Sequence, residues 1–307
     1  MFKLSKKTKD RIFIVEMLFL PILHFIVFWV YVKTSSILLA FQDEWTGELT
    51  LRHFERFFNE WRTDFSLDGT LKFAVTNTLI EVSIGNLIST PLNIFITFAL
   101  FKKFYGHTFY RVLFYLPGII GSVVISTMEL YVLAPGGPII KIGEMLGIDW
   151  SFNILQTGFY GNVDSARWTY FLTSVSISGG TILIQTGVLN RIPKDLFDSA
   201  KLDGVGFFKE FIKIALPLIW STVGIMWIMN FAVGWAGYQR VLLLTGGANN
   251  TNNFGYYLVS HTLSAVTGGG CNYNYPAAIG IIMTVIIAPI TLILRHFASK
   301  IVEPVEF

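Results

Sequence analysis

The stretch Arg191–Trp220, RIPKDLFDSAKLDGVGFFKEFIKIALPLIW, decides how the rest of this chain is interpreted. It is charged and only weakly apolar, yet it lies between two strongly hydrophobic segments. Pro193 stands near its start, Gly204 and Gly206 near its middle, and Pro217 where the chain becomes apolar again. If its neighbours span a membrane, a compact polar element here has little physical purpose unless a partner outside the membrane binds it. The stretch is therefore a candidate docking site.

The composition predicts a membrane protein. Of the 307 residues, 53% are hydrophobic and 14% charged, and the mean hydropathy is +0.57, outside the range of soluble domains. The net charge of +3 and the lack of basic runs interleaved with aromatic residues argue against nucleic acid as a partner. A single cysteine, Cys271, excludes an internal disulfide and a multi-cysteine metal site.

Apolar blocks of the length that crosses a bilayer, about 20 residues, predict an all-α polytopic membrane protein with about six transmembrane helices. The spans are expected at about Ile12–Val32, Phe73–Phe101, Val112–Leu133, Trp168–Leu189, Ile214–Leu244 and Ala277–Phe297. The first is too long for a signal peptide and is interpreted as a retained anchor. The fourth is the least apolar, and its serines and glycines are tolerated where small residues let helices approach closely.

The distribution of Lys and Arg predicts that both termini lie in the cytoplasm. Basic residues concentrate before the first span and in the Arg191–Lys213 loop, whereas acids such as Asp43 and Glu48 gather in the first outer loop. That loop contains a predicted short helix at about Leu51–Trp61, lying on the membrane interface or packing on an external partner. The segments Ala134–Arg167 and Thr245–Tyr275 are expected to be loops, because Gly, Pro and Asn cluster in them.

No motif for catalysis is present. The sequence has no GxxxxGK[ST] phosphate loop, no HExxH and no GxSxG, and its five histidines are scattered. Two carboxylates lie within predicted spans. Glu81 is either a functional group or a structural hydrogen-bonded one, with Asn77 one turn earlier on the same face. Glu129, near the outer end of its span, is expected to be solvated.

The fifth predicted span offers a candidate pathway for a solute. At 100° per residue, one stripe with Asn230 at its edge contains Trp227, Phe231, Gly234, Trp235 and Tyr238. Aromatic faces flanked by amide and hydroxyl groups suit sugar rings, although in a chain this rich in phenylalanine such a stripe more often serves packing. Polar groups in a span seek the bundle interior or a wet cavity, which favours a pathway.

The Arg191–Trp220 stretch resembles the EAA loop of the permeases of binding-protein-dependent ABC importers, IPxxxxEAAxxDGAxxxxxFxxIxLPxxxP. The matches are Ile192, Pro193, Ala200, Asp203, Gly204, Phe211, Ile214, Leu216 and Pro217, and the departures are Asp198, Ser199, Val205 and Trp220. The segment RVLFYLP, which starts at Arg111, and the LTGG of residues 244–247 resemble further family segments, the latter from maltose- and glycerol-phosphate-type sugar permeases.

The resemblance implies a type I importer permease of the carbohydrate-uptake family, in a bacterial or archaeal cytoplasmic membrane. It implies a basic segment and first helix at residues 1–33, an extracytoplasmic loop at 34–69, a core at 70–297 and a cytoplasmic tail at 298–307. The loop is expected to form two short helices, with a coupling helix around Ser199–Phe208 docking on a separate ATPase. The implied docking residues are Asp198, Ser199, Ala200, Asp203, Gly204, Phe207 and Phe208.

The implied partners are a second homologous permease, an ATPase dimer that holds the ATP and Mg, an external solute-binding protein, membrane lipid and a sugar; this chain is expected to bind no cofactor and to catalyse no reaction. ATP binding would rock the two permeases between inward- and outward-facing states. The alternative is an ion-coupled secondary carrier that uses Glu81, but six spans without a visible internal repeat argue against it. The sequence does not distinguish one sugar from another.

Overall fold

The computed structural model describes residues 6–67, 69–175, 179–267 and 273–301. Within these residues all regular structure is helical, apart from one isolated bridge between Gln42 and Leu49. The prediction of an all-α protein is confirmed. Cys271, the middle of the predicted fourth span and the last six residues of the tail lie outside the described residues.

The α-helices are, in chain order, α1 Lys6–Phe25, α2 Val32–Ala40, α3 Arg52–Leu67, α4 Thr70–Ile84, α5 Thr90–Phe101, α6 His107–Ile119, α7 Ser122–Val132, α8 Pro138–Met145, α9 Phe152–Thr157, α10 Val163–Thr173, α11 Gly179–Leu189, α12 Lys194–Leu202, α13 Phe207–Glu210, α14 Leu216–Gly234, α15 Gln239–Leu244, α16 Phe254–Thr267 and α17 Asn274–Ile301. Three π-helical turns, Ile26–Tyr31, Gly85–Ser89 and Phe211–Ala215, join α1 to α2, α4 to α5 and α13 to α14. Each of these pairs therefore forms one continuous helical segment with no loop between its two helices.

Four helical segments are long and apolar enough to cross a membrane in the described part of the chain. They are Ile12–Ala40, Thr70–Phe101, Phe207–Gly234 and Asn274–Lys300, and the pair α6 and α7, bent by 104°, makes a fifth if it forms one broken span. The predicted fourth span is represented by α10 and by α11, which has only 11 residues. The predicted count of six is thus not reproduced by length and apolarity alone.

Three expectations about loops and helix ends are wrong. The segment 134–167 contains α8, α9 and the start of α10, and the segment 245–275 contains α16. The helix of the fifth span ends at Gly234, so residues 235–238 form a turn before α15. The helices α8 and α9 have only 8 and 6 residues, too few for a periodic apolar pattern to stand out in the sequence. The predicted helix near Leu51–Trp61 is present as α3.

The chain divides into two compact units. The first comprises Met1–Glu60 and Ser260–Thr284, and the second comprises Trp61–Val259 and Val285–Phe307. In the first unit every side chain from Ile12 to Leu38 is exposed, which suits an apolar helix that contacts lipid or another subunit.

Polar contacts organise the remainder of the first unit around the main chain of Gln42. The His53 ring and the Asn274 amide both hydrogen-bond to the Gln42 carbonyl oxygen, at 3.0 and 2.6 Å. The Arg56 guanidinium lies 4.1 Å from the ring centre of Tyr275, a cation–π contact. These contacts hold the turn after α2 against α3 and the start of α17.

The second unit contains the main buried clusters. The first joins α5, α11, α12 and α14 through Ile94, Phe98, Leu189, Ile192, Phe197, Ala215, Ile219 and Val223. Helices α6 and α11 approach closely at Gly118 and Gly179, and a Cβ atom added at Gly179 would lie 2.9 Å from the Tyr115 backbone. Only glycine fits there, as the small residues of this segment predicted.

Candidate functional site

Helix α12 ends in a Schellman motif, which explains why a glycine occupies position 204. The Val205 amide donates to the Ala200 carbonyl oxygen and the Gly204 amide to the Lys201 carbonyl oxygen, both at 3.0 Å. Gly204 has a φ of +68°, a left-handed conformation that costs a residue with a Cβ atom roughly 1–2 kcal/mol. The chain therefore turns sharply here. The expectation of a single helix at residues 199–208 is wrong, because these residues form the end of α12, a turn and the start of α13.

One face of this helix–turn–helix, Lys194–Glu210, packs into the protein. Phe197 is 4% exposed and belongs to the cluster formed by α5, α11 and α14. Ala200, one of the expected docking residues, is buried at 6% exposure. Its small side chain faces the core, so it lies on the inner face of the helix–turn–helix and not on the exposed one.

A buried ion pair fastens the helix–turn–helix to the end of α5. Lys102, the residue that follows α5, pairs through its ammonium group with the Glu210 carboxylate. The two side chains are only 19% and 6% exposed. The Lys102 ammonium also lies 4.5 Å from the ring centre of Phe197, so one cation contacts both α12 and α13. Because each charge is withdrawn from water, each depends on the other.

The outer face of the helix–turn–helix is apolar and exposed. Leu202 is 89% exposed, Phe208 67% and Phe207 37%. Phe95 stacks on Phe208 from below, with ring centres 5.8 Å apart and planes inclined by 12°. The remaining expected docking residues, Asp198, Ser199, Asp203 and Gly204, are exposed as well. Leu202 was not anticipated, although a leucine beside Asp203-Gly204 in a charged segment is an available signal.

An ion pair borders this apolar face. The Lys201 ammonium donates to the Asp198 carboxylate at 2.9 Å, and both side chains are well exposed. That hydrogen bond lowers the pKa of Asp198 and raises the pKa of Lys201, and the attraction of the two charges acts in the same directions. The face thus presents two bulky apolar groups beside an acid and a base.

The second unit also contains a partly open polar cavity of about 450 Å³. Its wall combines amides, hydroxyls and small residues with one acid and one base. The lining residues are Glu81, Val82, Gly85, Asn86, Ser89, Thr90, Asn93, Thr173, Ser174, Thr181, Asn230, Val233, Gly234, Gly237 and Arg240. A wall so rich in hydrogen-bonding groups suits a hydroxylated solute better than an apolar one.

Glu81 projects into the polar cavity from α4 and is held on both oxygens. The Tyr170 hydroxyl donates to Oε1 at 2.7 Å, and the Asn253 amide donates to Oε2 at 3.1 Å. The orientation of Asn253 is determined because its nitrogen also donates to the Gly237 carbonyl oxygen and its oxygen accepts from the Tyr256 amide. Glu81 is thus both hydrogen-bonded to neighbouring helices and a lining residue, so both sequence interpretations describe part of its position.

Glu129 is largely shielded from solvent and paired, so the expectation that it is solvated is wrong. The Arg240 guanidinium lies 2.8 Å from Glu129, whose side chain is 15% exposed, and the Tyr160 hydroxyl donates to the same carboxylate. Arg240 also lies over the ring of Tyr170, with 4.6 Å to its centre. Sequence analysis missed Arg240, although an arginine inside a predicted span is itself a signal of an interior polar site.

The residues of the predicted aromatic stripe occupy different surroundings, since the helix ends at Gly234. Asn230 and Gly234 line the polar cavity, and the Asn230 amide lies 3.4 Å from the Thr90 hydroxyl. The Trp227 indole instead donates to the Asn86 carbonyl oxygen at 3.3 Å, and Trp235 is buried at 8% exposure. Tyr238 precedes α15 as its N-cap. None of these three aromatic residues is among those that line the cavity in the described part of the chain.

Known proteins resemble this chain over nearly its whole length, although no protein-family profile matches it. The chain is 25% identical over 290 residues to the multiple sugar-binding transport system permease protein MsmF of Streptococcus mutans, covering 92% of this chain and 94% of that protein. It is 28% identical over 294 residues to the probable ABC transporter permease protein YesP of Bacillus subtilis, covering 91% and 87%. It is 24% identical over 319 residues to the polygalacturonan/rhamnogalacturonan transport system permease protein YteP of the same bacterium, covering 98% and 94%.

Two solved structures share the fold. A chain of a bacterial alginate ABC transporter, in complex with a periplasmic protein that holds an alginate pentasaccharide, superposes with a TM-score of 0.78 at 18% identity, covering 97% of this chain and 98% of that one. A chain of a bacterial ABC transporter for the import of alginate gives 0.79 at 20% identity, covering 96% and 98%. This chain has the fold of ABC importer membrane subunits, and the relatives named above are transport-system permeases, two of them for sugars or polysaccharides, rather than enzymes. The resemblance and fold class predicted from the EAA-like loop are confirmed.

Proposed function

We propose that this chain is the permease subunit of an ATP-driven importer and forms half of the pathway for a sugar or oligosaccharide. The observation that carries the proposal is the helix–turn–helix Lys194–Glu210, whose outer face is apolar and exposed while its inner face is bound to the spans. A surface of this kind suits a separate ATPase as its partner, and the chain has no phosphate loop of its own.

The ion pair between Lys102 and Glu210 makes the helix–turn–helix a lever. A partner that moves Leu202 and Phe208 would move α12 and α13 together, because Lys102 contacts both helices. The motion would reach the end of α5 through Lys102 and α14 through the continuous turn Phe211–Ala215. Packed helices of this kind change between discrete arrangements rather than deforming gradually, as alternating access requires.

The polar cavity supports a saccharide as the solute. Asn86, Asn93 and Asn230 offer amides, and Thr90 and Ser174 offer hydroxyls, which are the groups that hydrogen-bond sugar hydroxyls. The names of the relatives agree with this chemistry, since they refer to transport systems for multiple sugars, for starch degradation products and for polygalacturonan or rhamnogalacturonan. Which sugar is carried would depend largely on the solute-binding protein.

The proposal includes partners and a location. The partners are a second homologous permease, an ATPase dimer that binds ATP and Mg, and an extracytoplasmic solute-binding protein. The complex would lie in the cytoplasmic membrane of a bacterium or archaeon, surrounded by lipid, with the helix–turn–helix and both termini inside. The concentration of Lys and Arg in the Arg191–Lys213 loop supports this orientation.

Replacement of one exposed leucine tests the proposal. Leu202→Asp adds a charge to the outer face without opening a cavity, because the side chain is 89% exposed. We expect the variant to reach the membrane at the wild-type level and to lose co-purification of the ATPase, together with sugar uptake. Leu146→Asp is the matched control, since Leu146 is 74% exposed and lies next to α8, outside the helix–turn–helix. Equal ATPase recovery with both variants would contradict the proposal.

An ion-coupled carrier remains the second candidate, because Glu81 is a carboxylate that lines the polar cavity. A coupling ion would have to compete with Tyr170 and Asn253 for its two oxygens. Uptake in cells treated with an ionophore separates the two functions. An ATP-driven importer continues to accumulate sugar while ATP is maintained, whereas a carrier stops; in the carrier Glu81→Gln would abolish coupling.

A further inference from the structure

A groove of about 200 Å³ separates the start of α14 from the end of α17, within the second unit. Helix α14 contributes Trp220, Gly224 and Ile228 to it, and α17 contributes Arg295 and Ala298. The groove lies at the end of α14 that adjoins the helix–turn–helix, and it is separate from the polar cavity, whose lining shares no residue with it.

The two helices are held together at the base of this groove by a specific contact. The Trp220 indole nitrogen donates to the Ala298 carbonyl oxygen at 3.0 Å. Beside it, Gly224 lacks a side chain, and a Cβ atom there would lie 3.9 Å from the Ala298 Cβ atom, at ordinary contact distance. The packing of the two helices therefore forms the groove: Trp220 bounds it, and the missing side chain at Gly224 leaves space in it.

The surroundings of the groove are apolar and face outward. Ile225, Leu292 and Phe297 on the two helices are 61%, 62% and 61% exposed. In a membrane-spanning pair of helices such side chains contact lipid tails. Acyl chains therefore have direct access to the groove along its length.

Arg295 introduces a positive charge at the mouth of the groove. It is exposed and forms no ion pair with any described residue, and none of the described residues that line the groove is an acid. Ile301, the last residue of α17, is six positions further along, a rise of about 9 Å, so Arg295 lies near the end of the helix that would reach the headgroup region. A guanidinium binds phosphate oxygens in a two-point geometry, and basic pockets between transmembrane helices bind anionic headgroups.

We propose that this groove binds one anionic phospholipid, with the phosphate on Arg295 and an acyl chain along Trp220, Gly224 and Ile228. The occupant is a lipid rather than a protein segment, because the unpaired cation and the apolar wall match the two ends of a phospholipid. The proposal requires a membrane but no particular cargo. It therefore stands or falls independently of the proposed transport function.

Native mass spectrometry of the purified protein in neutral detergent, with whatever subunits co-purify, tests the proposal. The probes are phosphatidylglycerol and phosphatidylcholine with identical acyl chains, and the comparison is between wild type and Arg295→Gln. We expect the substitution to lower phosphatidylglycerol retention about tenfold, as the loss of a charge-assisted contact predicts, and to leave phosphatidylcholine retention unchanged. Lys300→Gln, five residues further along α17 and outside the groove, is the matched control and should stay within about twofold of wild type.

Further arms of the experiment exclude other occupants. Gly224→Val narrows the apolar wall and should reduce the retention of both lipids. Inorganic phosphate at millimolar concentration should not displace phosphatidylglycerol; full displacement would mean a site for free anions and would overturn the proposal. Equal retention by wild type and Arg295→Gln, or an equal loss in Lys300→Gln, would overturn it as well.

Discussion

Removal of the cation that anchors the helix–turn–helix is the most direct test of how this chain would transmit force. Lys102→Met keeps the length and the apolar stem of the side chain but leaves the Glu210 carboxylate, 6% exposed, without its partner. Breaking a buried pair on one side costs about 3–5 kcal/mol, because an uncompensated charge stays in the interior. We therefore expect α12 and α13 to detach locally while the membrane helices stay folded.

The magnitude can be measured by hydrogen exchange of the backbone amides between Phe197 and Glu210. A local loss of 3–5 kcal/mol would speed their exchange by about a hundredfold or more, whereas amides of α14 beyond the first turns would keep the wild-type rate. ATPase co-purification and sugar uptake should fall in parallel. The double variant Lys102→Met with Glu210→Met should recover most of the protection, since replacing both charges by apolar groups of similar size is often neutral.

Lys201→Met is the control for a lost positive charge in the same element. It removes an ion pair with Asp198 in which both groups are exposed, and such pairs contribute little to stability. If Lys102→Met and Lys201→Met give the same exchange rates, the buried pair is not an anchor. If the double variant does not regain protection of these amides from exchange, the unpaired Glu210 charge is not the cause of the loss.

Three further outcomes are expected. Gly204→Val forces a β-branched residue into a left-handed conformation at φ +68°, at a cost of about 1–2 kcal/mol or more. We expect ATPase co-purification to fall in this variant. Gly206→Ala, at a position with φ −73°, is the control and should retain the ATPase. Arg240→Met leaves the Glu129 carboxylate, 15% exposed, without its cation, so thermal unfolding in detergent should show a loss of up to about 3 kcal/mol. Glu129→Gln in the same background should restore much of it. The backbone amides of Trp45 and Thr46 donate to the Asp43 carboxylate and lower its pKa below 3.8. The stabilisation of the turn by this carboxylate is therefore present above pH 3.8 and is lost as the pH falls through the lowered pKa. Exchange of these two amides should rise below pH 3.8 in wild type and be independent of pH in Asp43→Asn, after correction for intrinsic rates.

The predictable parts of the candidate site are local in sequence. Pro193 is the N-cap of α12, and Gly204 with its neighbours forms a Schellman turn whose two hydrogen bonds join residues five and three positions apart. The pattern of residues between them therefore specifies a helix, a turn and a second helix before any tertiary contact forms. The apolar blocks were equally readable, because crossing a bilayer demands a minimum number of consecutive apolar residues.

The parts that were missed depend on residues far apart in the chain. Lys102 and Glu210 are 108 residues apart, and Glu129 and Arg240 are 111 apart, so no spacing rule connects either pair. The expectation that Glu129 is solvated uses only its position near the outer end of a predicted span. In the folded chain Arg240 and Tyr160, which are distant in sequence, contact its carboxylate. The aromatic stripe depended on an unbroken helix, and that helix stops at Gly234.

The amino-acid sequence by itself determined the membrane character of this chain, its helical class and the presence of a polar helix–turn–helix between two spans. Length, hydropathy and local turn chemistry suffice for these, because they act between near neighbours. Only the tertiary structure decided which face of the helix–turn–helix is free, which charges hold it and which side chains line the polar cavity. Those features arise from helix packing, and packing brings together residues that the sequence keeps apart.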